Sequence, residues 1–278
     1  MTENPKQETV LVTAATGKTG HRVAERLTER GVRVRAGSRR GAVPFDWEDP
    51  STWAPALGGA DAAYVTYYPD LAGPGATEAM RAFGQAAAAA GAGRLVLLSG
   101  RGEPEAVKAE SALREAGVPL TVVRASFFAQ NFSEGPMAEG VAHGELVFPA
   151  GGTAEPFIDA DDLADVMVAV LTEEGHIGET YEVTGSRLLT FQEAAEEIER
   201  ATGREVRYVP VSGEEYQGML QQVGLPAQDA EWLVELFTML MDGHNASTTD
   251  GVRQVLGRAP RDFADYARDA AKAGAWAA

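Results

Sequence analysis

Apolar runs too short to be helices alternate with amphipathic stretches through the first half of the chain. Val10 to Val12 reads as a buried strand, Val23, Ala24 and Leu27 supply a helical face ending at Gly31, and Val32 to Ala36 follows as a second strand. Further strand signals lie at Ala62 to Thr66, Arg94 to Ser99 and Leu120 to Arg124, separated by helical stretches at Thr77 to Ala90 and Glu105 to Ala116. This alternation predicts an α/β fold with a doubly wound parallel sheet. Met80, Phe83 and Ala87 at helical spacing make the alanine-rich segment a packed crossover helix. After Phe148 the alternation fails. A helix at 158–171, a strand at 180–184, a helix at 191–202 and a strand at 206–210 suggest a smaller second lobe, and 212–275 is mainly helical. In that last stretch Trp232, Leu233, Leu236, Phe237 and Leu240 fall on one face, while Met219, Met239 and Met241 would suit a pliable wall.

The first strand runs into Thr13-Ala14-Ala15-Thr16-Gly17-Lys18-Thr19-Gly20, a glycine turn that opens a helix. Glycine at 17 and 20 lets the backbone approach a pyrophosphate, whose charge is favoured by the N–H groups and dipole at the helix start. A tight turn that merely packs helix on strand is the alternative, but placement between two strand signals favours a Rossmann-type dinucleotide site. Ala14 stands where the usual three-glycine fingerprint has its first glycine. The second strand ends in Gly37-Ser38-Arg39-Arg40, with no acid to hold a ribose 2′-hydroxyl. A serine hydroxyl and an arginine fork suit a 2′-phosphate, so the cofactor reading is NADPH, with Ser38 and Arg39 preferred over Arg40. Asp46 and Trp47 lie where the chain can reach an adenine ring, and core packing is an equal alternative. These signals divide the chain into an NADP-binding Rossmann core at 1–150 and a mixed substrate lobe with helical cover at 151–278, some segments of which return to the core.

Composition narrows the classes. The chain has 278 residues, a net charge of -17, no cysteine and four histidines. Such charge opposes binding to nucleic acid or anionic lipid, and the absence of thiols and of histidine ligand spacing argues against a metal site. The polar start at 1–8 lacks the pattern of a signal peptide, and no stretch approaches the length of a membrane span. A cytoplasmic monomer or homodimer is expected.

Several longer motifs together are more specific than the turn. The glycine turn, Gly37-Ser-Arg-Arg, Asp46-Trp-Glu-Asp-Pro, Leu97-Leu-Ser99-Gly, Gly117-Val-Pro-Leu-Thr-Val-Val-Arg124, Phe127-Phe-Ala-Gln-Asn131-Phe and Phe157-Ile-Asp159-Ala-Asp161-Asp-Leu-Ala resemble the NmrA-like atypical short-chain dehydrogenase/reductases over nearly the whole chain. The resemblance implies cofactor contacts from Thr16, Gly17, Lys18, Thr19 and Gly20, from Ser38 and Arg39, and from the loop at Thr66 and Tyr67. Ordinary members carry a Tyr/Lys dyad and many atypical ones a Lys or His upstream of the Gly-x-Pro segment. Here that position is Ala106, and Lys108 lies roughly 200° round the helix from it. Lys108 therefore reads as a solvated partner of Glu105 or Glu110.

A missing dyad leaves two classes open, a reductase that needs no conventional side-chain acid and a non-catalytic NADP-binding redox sensor. The same arrangement resembles the angucyclinone ketoreductases of aromatic polyketide antibiotic biosynthesis. That likeness implies reduction of an aromatic polyketide ketone, with protonation assisted by the substrate's own phenol or by Ser99 or Tyr67. Tyr67, Phe127, Phe128, Gln130 and Asn131 would then touch the substrate, Asn131 being preferred over either phenylalanine. A quinone reductase is the enzymatic alternative. The aspartates at 159, 161, 162 and 165 read as helix-start residues, one of them pairing with Arg124, rather than as a metal site. Ser99-Gly-Arg-Gly lacks the glycine of a hydrolase elbow.

Overall fold

The computed structural model describes residues 8–135 and 137–277. The first strand, β1 (Thr9–Val12), is buried throughout and leads through the glycine turn into α1 (Gly20–Glu29), which buries Val23 and Leu27. There follow β2 (Arg33–Ser38), a short β3 (Val43–Pro44), α2 (Trp53–Leu57), β4 (Ala62–Val65), α3 (Ala76–Ala90), β5 (Arg94–Gly100), α4 (Pro104–Arg114) and β6 (Leu120–Ala125). Next come α5 (Met137–Ala142), β7 (Glu145–Phe148), β8 (Ala154–Glu155), α6 (Ala160–Thr172), β9 (Thr180–Val183), β10 (Leu189–Thr190), α7 (Phe191–Thr202) and β11 (Arg207–Pro210). The helices α8 (Gly213–Gln222), α9 (Ala227–Leu240), α10 (Gly251–Leu256) and α11 (Phe263–Lys272) complete the chain.

The chain forms two compact units, and the first contains 1–125, 160–183 and 251–258. Its sheet has seven parallel strands in the order β3-β2-β1-β4-β5-β6-β9, the Rossmann-type α/β fold expected from the alternation. The order reverses at β1, which lies between β2 and β4. In such sheets the ligand crevice opens at the carboxyl ends of the strands beside that reversal. Met80, Phe83 and Ala87 of α3 are fully buried against this sheet's core, as their spacing predicts.

Two segments that the sequence pattern groups with the second lobe belong to this first unit. Strand β9 pairs with β6, and α6 is held to α1 and to the segment just after α10 by arginine bridges. Arg26 binds Asp161 at 2.6 Å and Asp165 at 2.8 Å, while Arg258 binds Asp162 and Asp165, each at 2.7 Å. The aspartates of α6 are thus consumed in fastening helices together. The expected pairing of one of them with Arg124 is corrected, because Arg124 is taken by Glu110 of α4 at 2.7 Å, with Glu182 at 3.8 Å. The helix itself starts at Ala160, since Ile158 is still extended and bridged to Phe128.

The second unit contains 126–159, 184–250 and 259–278. Its sheets are two-stranded, β8 with β10 antiparallel and β7 with β11 parallel. Its core is aromatic, with Phe132, Phe148, Phe157 and Phe191 all buried. Capping boxes at Thr190/Glu193 and Ser212/Glu215 fix where α7 and α8 begin. Gly185 must be glycine, since a Cβ there would stand 2.1 Å from the Phe157 carbonyl oxygen. The buried seam of α9 differs from the expected stripe: Ala230, Val234 and Leu236 are its buried residues, and Trp232 and Leu233 are only half-buried. Val234 turns toward α8, packing near Gly213, which rotates the seam. Met241 is core and Met219 is exposed, so the three methionines do not share one wall.

Candidate active site

The glycine turn is built by close backbone approach. Ala14 takes a left-handed φ of 48°, unusual for a residue with a side chain, and its carbonyl accepts the Gly17 N–H at 2.8 Å. Ala15 N–H donates to the Gly37 carbonyl at 2.9 Å, tying the turn to the end of β2. A Cβ at Gly20 would lie 2.2 Å from the Ala14 oxygen, and one at Gly17 3.2 Å from it. Gly20 is therefore obligatory, and Gly17 is tight. Thr16 and Gly17 are exposed at the tip of the turn, Lys18 is half-buried, and Thr19 and Gly20 are buried. The bare glycine tip at the start of α1 is the cradle a pyrophosphate requires, so the residues present fit a dinucleotide.

Two further side chains support this turn. Tyr64 of β4 is fully buried and donates its hydroxyl to Thr19 Oγ1 at 2.7 Å, and burial pushes its phenol well above the usual range. Thr13 Oγ1 accepts the Thr66 N–H at 2.9 Å and lies 3.2 Å from the Tyr64 carbonyl. A tyrosine inside a fully apolar strand was the available signal, because a buried phenol needs a partner.

At the end of β2, Ser38 is half-buried and Arg39 is exposed, its guanidinium 5.9 Å from the centre of the Tyr68 ring. Arg35, by contrast, is occupied by the carbonyls of Pro55 and Ala56, both at 2.9 Å. Trp47 donates its indole N–H to the Thr66 carbonyl at 2.9 Å and packs against Phe45, Trp53, Tyr67 and Phe83. Asp46 accepts the Trp53 indole N–H on its carbonyl at 2.7 Å and the Glu48 N–H on its carboxylate. Asp46, Trp47, Thr66 and Tyr67 are thereby gathered at one edge of the sheet. Burial, with Glu48 and Glu78 nearby, raises the Tyr67 phenol above its ordinary value.

Ser99, at the carboxyl end of β5, is buried and donates its hydroxyl to Glu110 Oε1 at 2.6 Å. Glu110 also receives a two-pronged contact from Arg124 at 2.9 and 2.7 Å. Ala106 is fully buried in the core and carries no titratable group. Lys108 is exposed and pairs with Glu105 at 2.5 Å, as its position on the helix predicts. Among the described residues no group of acids and histidines has the geometry of a metal site.

In the second unit, Phe127 packs on Phe148, Phe157 and Phe191. The Gln130 amide is buried and donates to Asp159 at 2.7 Å. Phe128 is half-buried, its backbone bridged to Ile158, and its carbonyl accepts the N–H of half-buried Asn131 at 3.1 Å.

Comparison with known proteins agrees with this construction. The NmrA-like family matches residues 105–267, and the NAD(P)H-binding family matches residues 14–174. The oxidoreductase YesF of Bacillus subtilis is 33% identical over 98% of this chain and 97% of its own. The NAD(P)H azoreductase of Xenophilus azovorans is 32% identical over 88% of this chain and 85% of its own. The Escherichia coli NADPH-dependent quinone oxidoreductase QOR2, solved with NADPH, shares the fold with a TM-score of 0.75 at 22% identity, covering 94% of this chain and 99% of that one.

Proposed function

Because the chain belongs to the NmrA-like family of NAD(P)H-binding proteins, we propose that it is an NADPH-dependent ketoreductase acting on a ketone of an angucyclinone-like aromatic polyketide. It is an NAD(P)H-dependent oxidoreductase, and the substrate and the preference for NADPH are the proposal. The cofactor supplies a hydride to an electrophilic carbon. The turn at Thr16 to Gly20 holds the pyrophosphate, Ser38 and Arg39 take the 2′-phosphate, and Asp46, Trp47 and Thr66 border the adenosine side. No acid stands at the end of β2 to prefer a free ribose.

The observation that carries the substrate reading is the filled core position of Ala106 together with the outward, paired Lys108. Neither conventional acid exists, so the proton reaches the new alkoxide from another source. A phenol beside the ketone of a peri-hydroxylated polyketide provides one. Ser99 and Tyr67 are weaker sources: the Ser99 proton is directed at Glu110, and the Tyr67 phenol holds its proton more tightly than usual. Tyr67, Phe127, Phe128, Gln130 and Asn131 are the proposed substrate contacts. Phe127 and Gln130 are engaged within the second unit, with Phe148 and Asp159, so Phe128 and Asn131 are the stronger of these candidates.

A second reading is reduction of quinones or azo dyes, the dyes being favoured by the likeness to the Xenophilus azovorans azoreductase. Incubation with NADPH and peri-hydroxy polycyclic ketones, anthraquinones, simple quinones and azo dyes, with identification of products, separates the two. A secondary alcohol supports the ketoreductase. Hydroquinone or amine products alone transfer the assignment to the second reading, and tight NADPH binding without any product favours a redox sensor.

A further inference from the structure

Resting on the reductase reading, we propose that Glu103 is the residue that delivers the proton to the oxygen of the reduced carbonyl when the ketone has no neighbouring phenol to supply it. Glu103 follows β5 and occupies the cap position of α4, at the carboxyl edge of the main sheet where the ligand crevice of this fold opens. Its side chain does not cap the helix. Instead it folds back over the last residue of β5, so closely that a Cβ at Gly100 would meet its carboxyl atoms at 2.0 to 2.2 Å. Glycine at 100 is what allows the carboxyl group to lie against this strand end, next to Ser99. Glu103 is 8% exposed and, among the described residues, its carboxyl group has no hydrogen-bond or ion-pair partner. With 8% of the residue exposed and its oxygens not among the fully buried unpartnered atoms, the carboxyl keeps a narrow opening through which a ligand can reach it.

Its surroundings keep the proton on. The titratable groups facing Glu103 are Asp70, in the loop after β4, and Glu110 of α4, and both are acids. The arginines of this edge are engaged elsewhere, Arg124 with Glu110 and Arg101 with Glu182 at 3.1 Å. Burial, followed by the charges of Asp70 and Glu110, pushes the Glu103 carboxyl up to about 8. At neutral pH it is a carboxylic acid with a hydrogen to donate, poised near the pH of use.

The step balances. The carbonyl carbon accepts a hydride from the reduced nicotinamide, and the C=O π pair moves onto oxygen. As that oxygen takes up negative charge, the O–H bond of Glu103 breaks and its proton forms the alcohol. The products are a secondary alcohol, NADP⁺ and the Glu103 carboxylate, which water reprotonates before the next turnover.

The test compares the full chain with its Glu103→Gln variant, which keeps the size and neutrality of the side chain but has no acidic proton. Three readouts are used: the infrared carboxylic C=O band titrated against pH, NADPH affinity by fluorescence, and kcat against pH with a ketone lacking a neighbouring phenol. The wild type should show a carboxylic band that persists at neutral pH and fades through about pH 8, and E103Q should lack it. NADPH affinity should change by less than about twofold, while kcat falls about a hundredfold or more and its alkaline limb disappears. E103Q turning over within about twofold of wild type with the same limb would overturn the proposal. So would absence of the band at neutral pH in the wild type, an outcome that does not depend on the variant folding. If the wild type reduces nothing while the band is present, the reductase reading has failed and the donor role falls with it. If the wild type reduces ketones without the band, only the donor role is lost.

Discussion

Gly20→Ala probes the turn proposed to hold the cofactor's pyrophosphate. The added methyl would stand 2.2 Å from the Ala14 carbonyl oxygen, 2.9 Å from its carbon and 3.1 Å from Cα of Ala15, and all three are backbone atoms. The first contact is roughly 1 Å or more short of ordinary van der Waals separation, so the start of α1 and the turn must part. Neither moves freely. Ala14 is tied to Gly17 and Ala15 to Gly37, and α1 is fastened to α6 by Arg26. Overpacking of this kind costs about 1–3 kcal/mol, and the rigid surroundings place this case at the upper end, about 3 kcal/mol. Displacing the donors of the turn also removes charge-assisted hydrogen bonds to the pyrophosphate, each worth about 1.5–3 kcal/mol, so NADPH affinity should fall about tenfold to a hundredfold. Urea unfolding measures the first effect and fluorescence titration with NADPH the second. Gly17→Ala is the internal control, since its methyl would be only slightly crowded at 3.2 Å from the same oxygen. If Gly20→Ala unfolds at the wild-type midpoint and binds NADPH equally well, the close-approach account of the turn is wrong.

Ala14→Gly should act in the opposite direction: its left-handed φ of 48° costs an alanine about 1–2 kcal/mol, partly offset by the greater chain entropy of glycine, leaving a net stabilisation of about 0.5–1 kcal/mol by urea unfolding. Removing the guanidinium with Arg39→Ala should weaken NADPH about tenfold and leave NADH nearly unchanged, and equal loss for both would disprove the 2′-phosphate role. Because Glu103 holds its proton more tightly folded than unfolded, its contribution to stability is fully present below about pH 4.5 and is lost as pH rises through about 8. Each tenfold gain in proton affinity on folding is worth about 1.4 kcal/mol, which makes this contribution a few kcal/mol, so urea midpoints of wild type should decline over that window more steeply than those of Glu103→Gln.

Local features were legible where neighbouring residues alone decide them. The turn from β1 into α1, the buried face of α3 and the boundaries of α7 follow from glycine placement, apolar spacing and a capping box. Long-range assignments were not legible. The residues of β9 look like any short strand, and only pairing with β6 shows which sheet they complete. Likewise, the aspartates of α6 carry no mark of whether Arg124 or Arg26 and Arg258 will reach them. The packed seam of α9 lies a fraction of a turn from the apolar stripe of its sequence, because the helix has more apolar residues than the seam uses. For the site, the loop motifs mark the proposed cofactor edge, whereas the Tyr64–Thr19 contact and the burial of Glu103 depend on tertiary neighbours that composition and periodicity do not encode.

Isotope transfer tests the central claim most directly. The protein would be given NADPH carrying deuterium at one or the other face of the nicotinamide C4, together with a peri-hydroxy polycyclic ketone, and the product would be examined by mass spectrometry. One of the two labelled cofactors should place a single deuterium on the carbinol carbon of a secondary alcohol. Failure of both to label any reduced product, with NADPH tightly bound, would contradict the assignment of this chain as a ketone reductase.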